Sequence, residues 1–401
     1  MDIAELQRDE LEMGRLGPRW TAVAGFAALV GLVGSLVLLF TIEHGAQRFY
    51  RSYLVNYMFF LSLALGGMFF VLIVHLVRAG WSVTVRRIAE AVACAVLPLS
   101  LLALVIVFGR HELYEWTHAD AVAGDSLLQH KQAYLNTSFF VGRLIFYFVV
   151  WNLIAWYFRS RSLKQDRTGD AGLTIEMERL AAPSMIFFAM TLTFAAFDLM
   201  MSLYPHWYST IYGVYFFSGS VLAFFSLVPL VVHALQRAGK LNQVVHVAHF
   251  HDMGKLMFAF VVFWAYIAFS QYMLIWYANL PEETVWYQVR QGGGWLWVSL
   301  LLLFGHFILP FFWLLSKYMK RRKMVLISAA AWLLLMHWSD LYYLVMPESS
   351  PAGPPLHLLD LTCFLFVGGV TFALVFWLMG RVHLIPIGDP RLQEAMGLES
   401  V

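Results

Sequence analysis

The chain has 401 residues, 60% of them hydrophobic and only 13% charged, with 34 Phe, 15 Trp and a net charge of +2. A soluble domain carries about 25% charged residues, so this composition excludes an ordinary soluble protein and points to a polytopic membrane protein. The slight positive excess is confined to a few loops and leaves no electrostatic footprint for nucleic acid.

Residues 1–19 are polar and acidic and lack the basic-then-apolar order of a cleavable leader, which predicts a cytoplasmic segment. Ten apolar runs follow, at about 20–42, 54–78, 88–108, 138–158, 182–204, 210–234, 256–279, 295–317, 323–345 and 358–380. Alternate loops and the two ends hold 21 of the 27 Lys and Arg; the other loops hold 5, and Arg143 lies within a run. The positive-inside rule then predicts cytoplasmic termini, with "SKYMKRRKM" (316–324) as the strongest anchor, in a multi-pass protein surrounded by lipid.

The outer loop 109–137 carries four acids against two bases and predicts a short surface helix able to dock a partner. In "SLYPHWYSTIYG" (202–213), Tyr204, His206 and Trp207 offer aromatic walls with hydrogen-bonding tips, the lining a quinone needs; interfacial lipid anchoring explains such residues equally well. "HVAHFHDMGK" (246–255) has three His and an Asp but no zinc-type spacing, so a helix start capped by Asp252 is expected and no metal. Cys94 and Cys363 cannot supply a four-ligand iron–sulfur cluster, and no C-x-x-C-H haem attachment site exists. No redox centre is expected in the chain.

An internal repeat organises these runs. "AFDLMMSLYP" and "HWSDLYYLVMP" share Asp-Leu, five residues, then Pro, which sets Asp198 and Asp340 at one height in the fifth and ninth helices. "LIVHLVRAG" and "LVVHALQRAG" match His75 with His233 and Arg78 with Arg237. The expected fold is all-α, with two parallel four-helix bundles (54–205 and 206–347) flanked by one helix on each side (20–53 and 348–401).

Ionisable groups inside a bilayer are expensive, about 2.5–3.5 kcal/mol each on insertion scales, and mark function by default. Arg143 and Asp198 lie at similar depth, either as a structural clasp between helices or as a proton-exchanging carboxylate tuned by a cation. His337 and Asp340, three apart on one helix face, could form a proton path with His306. His75 and His233 would mark the cytoplasmic mouths of such paths, or be polar tips at the boundary.

Ten helices in two four-helix units resemble the NrfD / polysulfide-reductase C superfamily of membrane quinol-handling subunits. Residues 251–287, "FDLMMSLYPHWYSTIYGVYFF" (197–217) and "WSDLYYLVMP" (338–347) are similar to the second such subunit of alternative complex III. The resemblance implies a non-redox subunit of a bacterial quinol:electron-acceptor oxidoreductase in the inner membrane, beside a companion NrfD-like subunit and outer-side iron–sulfur and haem c proteins. It also implies a proton path through Asp198, Asp340, His306 and His337, with room for quinone. Two other classes compete: a secondary transporter, which Pro98 and Pro310 support poorly because they do not match between units, and a purely structural anchor.

Overall fold

The computed structural model describes residues 8–398. These residues are 81% helical without a strand, and ten of the helices are long and apolar enough to cross a membrane. They are α1 (Leu16–Thr41), α2 (Gly45–Leu76), α3 (Gly80–Phe108), α4 (Thr137–Thr168), α5 (Gly172–Leu203), α6 (Tyr212–Arg237), α7 (Val247–Ala278), α8 (Trp295–Leu315), α9 (Lys323–Val345) and α10 (Leu358–Met379). The protein is an all-α, multi-pass membrane protein.

Several helices outrun their apolar runs. At 1.5 Å per residue, the 32-residue α2 spans about 48 Å, well beyond a hydrocarbon core of about 30 Å. Its extra first turns carry Arg48 and Arg51, which reach Asp360 at 2.6 Å and Glu348 at 3.2 Å. Partners of this kind stabilise polar turns that hydropathy alone assigns to loops. Asp252 does not cap α7: the helix starts earlier, with His246 as its cap and His249 reciprocating, while Asp252 sits inside it and pairs with Lys255. Among the described residues no group of His, Cys, Asp and Glu is arranged to hold a metal.

The most enclosed spans are α2 and α6, with 89% and 78% of their most apolar stretches buried. They meet where Gly66 leaves room for the Ser220 carbonyl and Phe224; a Cβ there would collide with both. Helices α1 and α10, expected as flanks, pack against each other, and α10 rests on α2 and α3. Their contact is built from small residues, Gly17, Ala24, Ala28, Gly31 and Ser35 facing Thr362, Gly369 and Gly380. Close approach of backbones supplies the packing that lipid-facing Leu and Phe cannot, because lipid tails match those side chains as solvent.

Prolines interrupt more spans than Pro98 and Pro310 alone: Pro183 lies inside α5 and Pro229 inside α6. In α8, Pro310 follows a π-helical stretch, Leu302–Ile308, that contains His306. Proline has no N–H to return to residue 306 and crowds that carbonyl, so a wider turn relieves the clash. The Gly305 carbonyl accepts the Trp332 indole N–H at 2.7 Å, so this backbone oxygen is satisfied within the apolar interior.

Candidate functional site

Two buried carboxylates stand at the centres of two unlike clusters. Asp198 is fully enclosed and receives Arg143 in fork geometry, Nε to Oδ2 and Nη2 to Oδ1, both at 2.8 Å. The Tyr147 hydroxyl adds a third bond at 2.8 Å. The remaining guanidinium nitrogen donates to the Tyr134 carbonyl at 3.0 Å, and the Tyr134 and Phe139 rings lie 3.8 and 4.3 Å from the guanidinium carbon. Every nitrogen of Arg143 has a partner. Bidentate pairing, enclosed by aromatic faces, joins α4 to α5 as a clasp.

Asp340 is equally buried but has neutral partners. The Tyr215 hydroxyl of α6 donates to Oδ1 at 2.5 Å, and the Trp264 indole of α7 donates to Oδ2 at 3.1 Å. No ion pair reaches Asp340 among the described residues. Behind Trp264 stands His306, its ring centroid 4.0 Å from the indole, with neither ring nitrogen hydrogen-bonded. His337 turns away from Asp340 towards α2, where its Nε2 and Ser62 Oγ are 2.8 Å apart, and its Nδ1 has no partner. Gly219 makes space for that ring, since a Cβ would sit 2.9 Å from Cε1. Sharing a helix face therefore does not bring His337 and Asp340 into contact; they open onto different neighbours, and Trp264 separates Asp340 from His306.

Tyr215 and Trp264 also line a cavity of about 910 Å³. It lies between α7, α8 and a surface helix, Pro281–Gln291, that hydropathy places in a loop. The lining is apolar and aromatic, with Tyr272, Gln291, Ser299 and Tyr343 among its polar points. Volume and chemistry match sites for small lipid-soluble ligands, which run to roughly 300–1,000 Å³ with a few placed polar groups.

The turn between α5 and α6 holds its predicted residues apart from this cavity. His206 is exposed and its Nε2 lies 2.5 Å from Asp125 Oδ2; that bond holds the Asp125 carboxyl below its usual range. Trp207 stacks on Trp286 at 4.7 Å, and Tyr204 lies 5.2 Å from the Arg290 guanidinium. Tyr204 and Trp207 border a smaller cavity of about 270 Å³ that His206 does not line. At the basic end, His75 is buried, its Nδ1 2.6 Å from the Val71 carbonyl, whereas His233 is partly exposed.

Sequence reasoning missed Tyr215, Trp264, Ser62 and Arg290. The last is fully buried, 3.5 Å over the Trp286 ring, and donates to the carbonyls of Trp286, Tyr343 and Leu344. Asp360 was also missed; it binds Arg48 and Ser52 and accepts the His357 N–H at the start of α10. No protein-family model matches the chain, and no curated protein matches it.

Proposed function

We propose that this chain is the non-redox membrane subunit of a bacterial quinol-oxidising complex of the alternative complex III type, in which Asp340 exchanges protons. The supporting observation is a buried carboxylate held only by neutral donors, one of which, Tyr215, also faces a large apolar cleft. A group with no fixed cation beside it can change charge without breaking an ion pair. Its Tyr partner can accept a proton from a ring hydroxyl in the cleft while passing its own to Asp340. On this reading quinone occupies the cleft by its flat apolar walls, in preference to the outer turn around His206. His306 and His337 extend the route once Trp264 rotates, because the indole fills the space between His306 and the carboxylate.

Asp198 has the opposite role in this scheme. Its bidentate Arg143 supports the structural clasp. The two units are copies of one ancestral bundle that have diverged, one kept for assembly and one for proton exchange. Companion subunits would be a second NrfD-like membrane protein and outer-side iron–sulfur and haem c proteins, with both termini of this chain in the cytoplasm. Affinity purification from native membranes tests the proposal. Co-purification with haem c and iron–sulfur subunits is expected, and a solitary protein that moves solutes across vesicles would refute it.

A further inference from the structure

The basic ends of the two units treat their cations differently. In the first, Arg78 and Arg391 share Glu178 at 3.0 and 2.8 Å, Arg86 joins Glu90 and Asp389, Arg87 meets Asp166 at 2.5 Å, and Arg161 meets Glu176 at 3.2 Å. In the second, Lys255 pairs with Asp252, but no acid pairs with Arg237, Lys317, Lys320, Arg321, Arg322 or Lys323 among the described residues. Lys320 folds inward onto the Leu314 and Leu315 carbonyls. Lys323 is held in place: its Nζ donates to the Gln236 amide oxygen and lies 5.0 Å from the Phe250 ring centroid. Gln236 is itself fixed by its bond to the Val245 carbonyl at 2.7 Å. Beside it, one helical turn apart on α6, are Arg237, exposed, and His233, whose buried Nδ1 has no partner. Lys323 and Arg237 both lie within electrostatic reach of His233.

We infer that His233, Arg237 and Lys323 bind the phosphodiester headgroup of an anionic phospholipid at the basic end of the second unit. The three groups lie together on the α6–α9 seam, and none of them forms an ion pair among the described residues, which leaves them able to meet an anion; basic pockets between membrane helices take such headgroups. Met324 and Tyr318, nearby in the chain, are 62% and 80% accessible and offer apolar surface to acyl chains. Exposed apolar side chains next to the cations favour a lipid over an acidic peptide, because a peptide's carboxylates would leave them uncovered. The site is independent of the proposed electron-transfer role.

The test uses the protein purified in its native membrane assembly and exchanged into phosphatidylcholine nanodiscs. Retained phosphatidylglycerol is measured by native mass spectrometry against phosphatidylcholine of the same chains and against inorganic phosphate. Phosphatidylglycerol should be held selectively and should resist millimolar phosphate. Arg237→Gln with Lys323→Gln should lower its retention roughly 30-fold, about fivefold per cation. Arg237→Lys with Lys323→Arg should keep it, as should Arg161→Gln in the first unit. Equal retention of phosphatidylcholine, displacement by inorganic phosphate, full retention in the double Gln variant, or loss of a partner subunit in place of lipid would each overturn the inference.

Discussion

Asp198 and Asp340 occupy the same slot in two helices, seven residues before a proline, yet their surroundings have little in common. One is locked to Arg143 by two parallel bonds and boxed in by Tyr and Phe; the other leans on a phenol and an indole that border a cavity. The contrast teaches that an acid inside a membrane is not informative by position alone. What it can do depends on whether its charge is already answered. A fixed cation stabilises the carboxylate and removes it from proton traffic, whereas neutral donors leave either protonation state accommodated.

The sharpest way to break this comparison is exchange of each acid for its amide. Asp340→Asn should leave assembly intact and slow proton-coupled turnover about 10²-fold or more, the usual contribution of a positioned proton-transfer group. Quinol oxidation and proton yield in the purified assembly measure it, and unaltered values would remove Asp340 from the mechanism. Asp198→Asn should act on stability instead, by about 3–5 kcal/mol, because it strands a buried guanidinium. Thermal unfolding in detergent reads this loss, and Arg143→Leu with Asp198→Leu should restore most of it; a double variant as unstable as the single would argue against a clasp.

Tyr215→Phe sharpens the second half of the contrast. It removes the 2.5 Å donor and, among the described residues, the only hydroxyl that touches both the carboxylate and the cleft. Turnover should fall about 10–100-fold, in line with one hydrogen bond to a charged group, with assembly unchanged. The smallest effect belongs to the turn between α5 and α6. Asp125, depressed by His206, contributes stability above its ordinary pKa of 3.8 and loses it as pH falls through its lower folded value. Protection of the Leu127 and Leu128 amides, which donate to Asp125, should drop over that acid window in hydrogen exchange. His206→Ala should move the drop upward in pH while turnover stays normal.

The ten spans were legible because each must be an apolar stretch near 20 residues, and the Arg143–Asp198 pair because two opposite charges at one depth in hydrocarbon have few other partners. The neighbours of Asp340 were not. Tyr215 and Trp264 are two aromatics among 18 Tyr, 15 Trp and 34 Phe, and nothing in periodicity marks which polar tip turns inward. His337 illustrates the same limit: its spacing to Asp340 was readable, but its partner Ser62 comes from 275 residues away. The π-helical turn around His306 left one trace, Pro310 inside an apolar run, which signals a local break without its form. The surface helix Pro281–Gln291 escaped hydropathy because it lies outside the apolar runs, though its Pro start and two early acids are ordinary helix-initiation signals.

Difference infrared spectroscopy of the assembly during quinol turnover addresses the account most directly, because it sees carboxyl groups as they gain and lose protons. A carboxyl band that changes with turnover, vanishes in Asp340→Asn and survives in a folded variant lacking the Arg143–Asp198 pair is the predicted result. A band that persists in Asp340→Asn, or disappears only when Asp198 is replaced, would contradict the assignment of proton exchange to the second unit.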